Sequence, residues 1–187
     1  MALVILDRDG VINQDSDAYI KTLEEWLPVP GSIEALARLS QAGYTLAIAT
    51  NQSGLSRGYF DLDTLEAIHQ YLRDLVAEAG GEIAGIFYCP HLPDEGCDCR
   101  KPGIGLLRSI ERELGEPVAG AHFIGDSLKD LQAGRAAGCI PVLVRTGKGE
   151  GTERQLADPD VQLETPGDIA VHDNLAAAVA TLLTGKG

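Results

Sequence analysis

Residues 3–6 read Leu-Val-Ile-Leu, an unbroken apolar run that stops at two carboxylates, Asp7 and Asp9, with Gly10 directly after them. Four apolar residues without alternation predict a strand covered on both faces, the habit of a parallel sheet. Gly10 permits a sharp exit and a close approach of a ligand to the backbone. In open α/β sheets ligands bind beyond the carboxyl ends of the strands, which is where the two acids are expected. Side by side, they repel unless a cation or a shared proton intervenes. Taken alone, an Asp-Gly turn accounts for the pair equally well.

The rest of the chain repeats the strand-then-helix pattern. After a polar segment over 13–28, a helix is expected from residues 30–32, with Ser32 as N-cap, Ile33, Leu36 and Leu39 as apolar stripe and Gly43 as stop. Residues 44–49 read as a second buried strand. A longer helix follows Asp61 or Asp63, with Leu65, Ile68, Leu72 and Leu75 at helical spacing. Residues 83–88 read as a third strand, 104–114 as a helix, 122–124 as a strand, 128–137 as a helix and 141–144 as a fifth strand. The tail is polar to about 164 and closes in an Ala/Leu-rich helix over about 168–183. Such alternation implies a parallel sheet wrapped by helices through right-handed crossovers, a Rossmann-like three-layer α/β sandwich. With no repeat or long linker in 187 residues, one domain spanning 1–187 is expected.

Each early strand also delivers polar groups to the same sheet edge: Asp7 and Asp9, then Thr50, then Lys101 after an intervening loop, then Asp126. Their types complement one another. An Asp can attack phosphorus as a nucleophile, and a second can protonate the leaving oxygen and later deprotonate water. A hydroxyl and an ammonium can hold the non-bridging oxygens. A further Asp can complete an octahedral Mg²⁺ site. Plainer readings stand beside these: Thr50 as a helix cap, and Asp130 as a supporting or surface carboxylate. Arg8 is expected to point away from both acids, because successive strand side chains alternate.

This ordered set resembles the haloacid dehalogenase-like phosphohydrolases over most of the chain. Asp7-Arg8-Asp9-Gly10-Val11-Ile12 is similar to the family's first motif, Ala49-Thr50-Asn51-Gln52 to the second, Arg100-Lys101-Pro102 to the third and Gly125-Asp126-Ser127-Leu128-Lys129-Asp130 to the fourth. The resemblance implies Asp7 as nucleophile, Asp9 as general acid/base, and Thr50 and Lys101 as stabilisers of the transferring phosphoryl group. It implies Mg²⁺ on Asp7, Asp126 and the backbone carbonyl of Asp9.

Cys89-Pro90-His91, five residues, then Cys97-Asp98-Cys99 offers three thiolates and an imidazole. That set suits tetrahedral Zn²⁺ and, with four protein ligands, leaves no open position for chemistry. The zinc loop is therefore expected to be structural and to fix Arg100 and Lys101, which follow it. Buried free thiols are the alternative, which the nearby Asp94, Glu95 and Asp98 disfavour. Cys139 reads as a small core residue, and His69, His122 and His172 as surface or satisfied core residues.

The zinc loop narrows the resemblance to two branches, heptose-bisphosphate phosphatases and histidinol-phosphate phosphatases. Residues 7–13, 50–60 and 144–148 resemble the heptose branch, which implies removal of a 7-phosphate to leave the heptose 1-phosphate used for ADP-heptose and lipopolysaccharide core synthesis. Histidinol-phosphate hydrolysis is the alternative, and a non-catalytic phosphate-ligand sensor a third reading. Ser127 stands where some heptose phosphatases carry a substrate-contacting lysine. The intervals between motifs leave no room for a large cap domain, so specificity is expected from Asp15, Tyr19, Asn51, Gln52, Ser53 and Arg100, with Arg100 suited to bidentate phosphate binding. The net charge of −13 argues against nucleic acid or an anionic membrane as partner. No apolar run approaches the ~20 residues of a membrane span. No secretory signal is legible, and a cytoplasmic monomer acting on a phosphorylated sugar is expected.

Overall fold

The structure, a computed structural model, describes residues 2–161 and 169–185. Among the described residues six strands form one parallel sheet: β1 (Leu3–Leu6), β2 (Thr45–Asn51), β3 (Gly85–Cys89), β4 (His122–Gly125), β5 (Ile140–Val144) and β6 (Ala170–His172), in the order β3-β2-β1-β4-β5-β6. Helices α1 (Ser32–Gln41), α2 (Leu62–Glu78), α3 (Gly105–Leu114), α4 (Leu128–Ala136), α5 (Gly149–Leu156) and α6 (Leu175–Thr184) connect and cover them. The expected three-layer sandwich is the observed fold.

The period of two along β1 shows how both faces are buried. Val4 and Leu6 join a core with Leu36 and Leu39 of α1, Ile68 and Leu72 of α2, and Val179 of α6. Leu3 and Ile5 join the opposite core with Leu107 and Ile110 of α3 and Ala133 of α4. Neither face is left to water, so the sequence shows no alternation.

Several expectations are corrected. Ser32 is not the N-cap of α1. Gly31 holds that position, and Ser32 Oγ instead donates to the Ile12 carbonyl at 2.6 Å, tying the helix to the loop after β1. Of the two acids expected before α2, Asp61 is the cap, as one of the alternatives had it, its side chain accepting from Thr64 N. β6 and α5 lie in what reads as a polar tail: β6 is only three residues long, and α5 carries two buried residues, Gly149 and Thr152. The closing helix begins at Leu175, capped by Asn174; its expected start near 168 lies outside the described residues. Among the described residues no helix is long and apolar enough to cross a membrane.

Candidate active site

β1 and β4 are neighbours, yet the chain builds outward from them in opposite directions, through β2 and β3 on one side and β5 and β6 on the other. Loops leaving such a pair diverge, and a crevice opens at the carboxyl ends of the strands. A cavity of about 710 Å³ lies there. It is bordered by Asp7, Asp9, Thr50, Lys101 and Asp126, and by Asp15, Tyr19, Asn51, Gln52, Ser53 and Arg100. Every site residue expected from the sequence, apart from the zinc loop, thus meets at one place.

Lys101 is the buried hub. Its Nζ lies 3.0 Å from Asp7 Oδ1 and 2.5 Å from Asp130 Oδ1, and donates to the Ala49 carbonyl at 2.8 Å. Burial favours the neutral amine, but the two carboxylates outweigh it and hold Lys101 above the usual lysine range. Asp130 is buried beneath the site, not on the helix surface. Its Oδ2 accepts from the backbone N–H of Asp126 and of Ser127 at 3.2 Å each, and Ser127 returns the contact in a capping box that starts α4. One carboxylate therefore orients the lysine, the Asp126 backbone and a helix together. Asn51 is similarly occupied: its amide brackets the Lys101 backbone, accepting from N at 3.0 Å and donating to O at 3.2 Å.

Asp7, Asp126 and Asp130 each bring a carboxylate oxygen within 4.8 Å of the others, all buried. Burial, then the charge of Asp130, push Asp7 up to about 7 although Lys101 opposes them. Burial, Asp7 and Asp130 push Asp126 well above the carboxylate range. Three crowded acids with one ammonium leave the site short of positive charge, and hard oxygen donors are the ligands Mg²⁺ takes. The residues fit that ion. Gly10 (φ 84°) and Gly147 (φ 58°) let two loops close over Asp126; a Cβ at either would be driven into its carboxylate. Lys148 N donates to Asp126 Oδ2 at 2.9 Å, and Thr152 Oγ1 to the Asp126 carbonyl at 2.8 Å.

Asp9 is held by four donors. Oδ1 accepts from Arg8 Nη2 at 2.7 Å, Arg8 Nε at 3.0 Å and Asn13 Nδ2 at 2.9 Å; Oδ2 accepts from Gln52 Nε2 at 3.0 Å. Burial alone would raise its pKa, but Arg8, Asn13 and Gln52 prevail and hold the carboxyl below its usual range. The expectation that Arg8 points away from both acids is therefore corrected. Alternation ends with β1 at Leu6, and Val11 N and Ile12 N bond back to the Arg8 carbonyl, so the turn brings Arg8 and Asp9 together. Behind Arg8, its Nη1 lies 3.1 Å from Nε2 of the buried His69.

Further cations unforeseen in the sequence border the cavity. Lys129 and Lys148 join Arg100, whose Nη1 is buried with no hydrogen-bond partner. Burial, then the charges of Arg100 and Lys148, lower the Lys129 pKa, so the three sense one another. The available signal was Val144-Arg-Thr-Gly-Lys148, which ends β5 as polar residues end β1, β2 and β4. Tyr19, at φ 67°, lines the cavity; its ring lies 5.1 Å from that of Tyr59, tilted by 59°, with the Arg57 guanidinium 5.8 Å from its centre. Ser127 is occupied in the α4 cap.

Cys89, His91, Cys97 and Cys99 come together as expected, with one donor atom from each within 4.8 Å of the rest. Cys89 Sγ lies 3.6 Å from Cys97 Sγ and 3.5 Å from His91 Nδ1, and His91 Nδ1 lies 3.1 Å from Cys99 Sγ. All four cysteines are free thiols, and a soft three-sulfur, one-nitrogen cage fits Zn²⁺. The loop is tied to the start of α3 through Gly105 N, which bonds Asp98 O at 2.8 Å, and the turn that carries Arg100 and Lys101 is closed by Gly103 N, which bonds Arg100 O at 2.8 Å. Cys97→Ser is expected to remove bound zinc and lower the thermal midpoint by about 5 °C or more. Metal analysis and calorimetry test this; stoichiometric zinc with an unshifted midpoint would refute it.

The fold and these strand-end residues define a haloacid dehalogenase-like phosphohydrolase, and residues 98–178 match the HAD-hydrolase-like family model. The chain is 59% identical to the D-glycero-beta-D-manno-heptose-1,7-bisphosphate 7-phosphatase of Pseudomonas aeruginosa over 182 residues, 97% of this chain and 98% of the relative. It is 50% identical to that of Bordetella bronchiseptica over 183 residues, 98% of each. The crystal structure of D,D-heptose 1,7-bisphosphate phosphatase from B. bronchiseptica, complexed with magnesium and phosphate, superposes with a TM-score of 0.90 at 50% identity, covering 98% of both chains. The chain belongs to the D-glycero-beta-D-manno-heptose-1,7-bisphosphate 7-phosphatase family.

Proposed function

We infer that this chain hydrolyses the 7-phosphate of D-glycero-β-D-manno-heptose 1,7-bisphosphate, leaving the heptose 1-phosphate. The observation that carries the reading is one cavity bordered both by the Asp7, Asp9, Thr50, Lys101 and Asp126 constellation and by Arg100, Lys129 and Lys148. Two anion-binding ends suit a bisphosphate. Histidinol phosphate brings an ammonium of its own, which a second group of cations repels. The sensor reading has no support in a chain that keeps both Asp7 and Asp9.

In this reading, Asp7 attacks phosphorus while Asp9 gives a proton to the departing sugar oxygen. Asp9 then takes a proton from the water that hydrolyses the aspartyl phosphate. Lys101 and Thr50 hold non-bridging oxygens, and Arg100 pairs with the distal phosphate. Magnesium, held by Asp7, Asp126 and the backbone carbonyl of Asp9, neutralises phosphate charge that would otherwise repel the attacking carboxylate. Zinc on Cys89, His91, Cys97 and Cys99 holds the loop that carries Arg100 and Lys101. We take the chain to work as one domain and one copy, a reading that fits a cavity to which strand ends and loops of this one chain bring both anion-binding ends. We place it in the cytoplasm, where thiols stay reduced, and its product in ADP-heptose and lipopolysaccharide core synthesis.

Phosphate release in the presence of Mg²⁺ tests the substrate. The kcat/KM for the heptose bisphosphate is expected to exceed that for histidinol phosphate by at least about 100-fold, the order available when buried polar partners are satisfied by one substrate only. A preference for histidinol phosphate would sink the reading, and no turnover of either ester would favour the sensor.

A further inference from the structure

The buried guanidinium of Arg8 takes no part in the chemistry described so far, although it touches one of the two catalytic carboxylates. A buried charge is costly, and an apolar side chain would fill the same space more cheaply if filling were the need. Its partners are one carboxylate of the site and one residue outside it. Nε and Nη2 close on Asp9 Oδ1, and Nη1 reaches His69 Nε2 on α2. Arg8 is 0% exposed and His69 7%, and neither borders the cavity. Burial, then the guanidinium itself, push the imidazole down to about 3, so the ring is neutral and accepts at Nε2.

Asn13, also fully buried, adds a third donor to the same oxygen. A carboxylate oxygen has two lone pairs, so three donors saturate Oδ1. Oδ2 accepts from Gln52 alone among the described residues, and Gln52 borders the cavity. The two oxygens of Asp9 are thereby made unequal.

We propose that Arg8, braced by His69, is a positioning residue that ties down Asp9 Oδ1 and reserves Oδ2 for proton exchange with the leaving group. The proposal rests on the role inferred above for Asp9. As an Asp7 oxygen bonds to phosphorus, the P–O ester bond breaks and its electron pair departs on the sugar oxygen. That oxygen takes the proton which Asp9 Oδ2 acquires once the substrate's negative charge lies beside it. An Asp9 free to rotate presents the proton in only a fraction of encounters, which lowers kcat and leaves KM in place.

The test compares two leaving groups. The alkoxide of the heptose ester needs the proton, whereas the p-nitrophenolate of p-nitrophenyl phosphate departs without it. Arg8→Met is expected to lower kcat on the heptose bisphosphate about 100-fold with KM changed less than about threefold, and to slow the burst of p-nitrophenolate that accompanies aspartyl-phosphate formation by less than about threefold, the hydrolysis that follows being common to both esters. His69→Leu should show the same pattern at about tenfold, and carries the test if Arg8→Met does not fold. In an Asp9→Asn background, adding His69→Leu should cost nothing further on the sugar ester, a comparison that needs no aryl substrate. An equal loss in the p-nitrophenolate burst, no loss on the sugar ester, or an added loss in the double variant would overturn the proposal, given a parent-like thermal midpoint and zinc content. A parent enzyme inert toward the heptose bisphosphate would overturn the substrate reading instead.

Discussion

Asp7→Asn is expected to abolish phosphate release, a loss of at least about 10⁴-fold, while the protein stays folded. The amide is nearly the same size but offers no anionic oxygen to bond phosphorus. The fold has little to lose. Lys101 keeps its ion pair with Asp130, and one of three crowded buried carboxylates loses its charge. The thermal midpoint should therefore hold or rise, separating loss of chemistry from loss of structure. Mass spectrometry of the quenched parent reaction should find phosphate on Asp7 and none on the variant. Parent-like turnover by Asp7→Asn, or an adduct on another residue, would remove Asp7 from its role.

Lys101→Met has the second-largest expected effect, and here activity and stability fall together. The lysine side chain is 3% exposed and its ammonium is the positive charge that Asp7 and Asp130 share. Breaking a buried ion pair from one side strands the other charge, at a cost of about 3–5 kcal/mol. Urea denaturation should show that loss, and phosphate release should become undetectable. Adding Asp130→Asn should restore much of the stability, since the amide oxygen can still accept from the Asp126 and Ser127 backbone, without restoring turnover. A single variant as stable as the parent would contradict the buried-hub account.

Legibility in the sequence followed burial. β1, β2 and β4 announce themselves as apolar runs because both faces of a central parallel strand are covered. α1, α2 and α3 carry regular apolar stripes. β6, at the sheet edge with burial only partial, leaves no such run, and α5 is short with a polar surface, so both are silent. The zinc cage was fully legible, since its four ligands lie within eleven residues. Asp7, Asp9, Thr50, Lys101 and Asp126 were legible because the topology sends every carboxyl end to one edge. Arg8 was misread because alternation was carried one turn too far.

Determined by the sequence alone were the gathering of Asp7, Asp9, Thr50, Lys101 and Asp126 at one sheet edge, the parallel α/β plan and the Cys89, His91, Cys97 and Cys99 cluster, because local pattern and chain order suffice for each. Only the tertiary structure decided which side chains serve one another across long separations. Asn51 brackets Lys101, Asp130 holds both Lys101 and the Asp126 backbone, and His69 stands 61 residues from the Arg8 it braces. Such partnerships depend on where α2, α4 and the zinc loop pack against the sheet. A hydrogen bond is a property of three-dimensional distance, and no period in the chain encodes it. The run of Leu-Val-Ile-Leu placed two carboxylates at the edge of a sheet, and packing gave each of them a different set of neighbours.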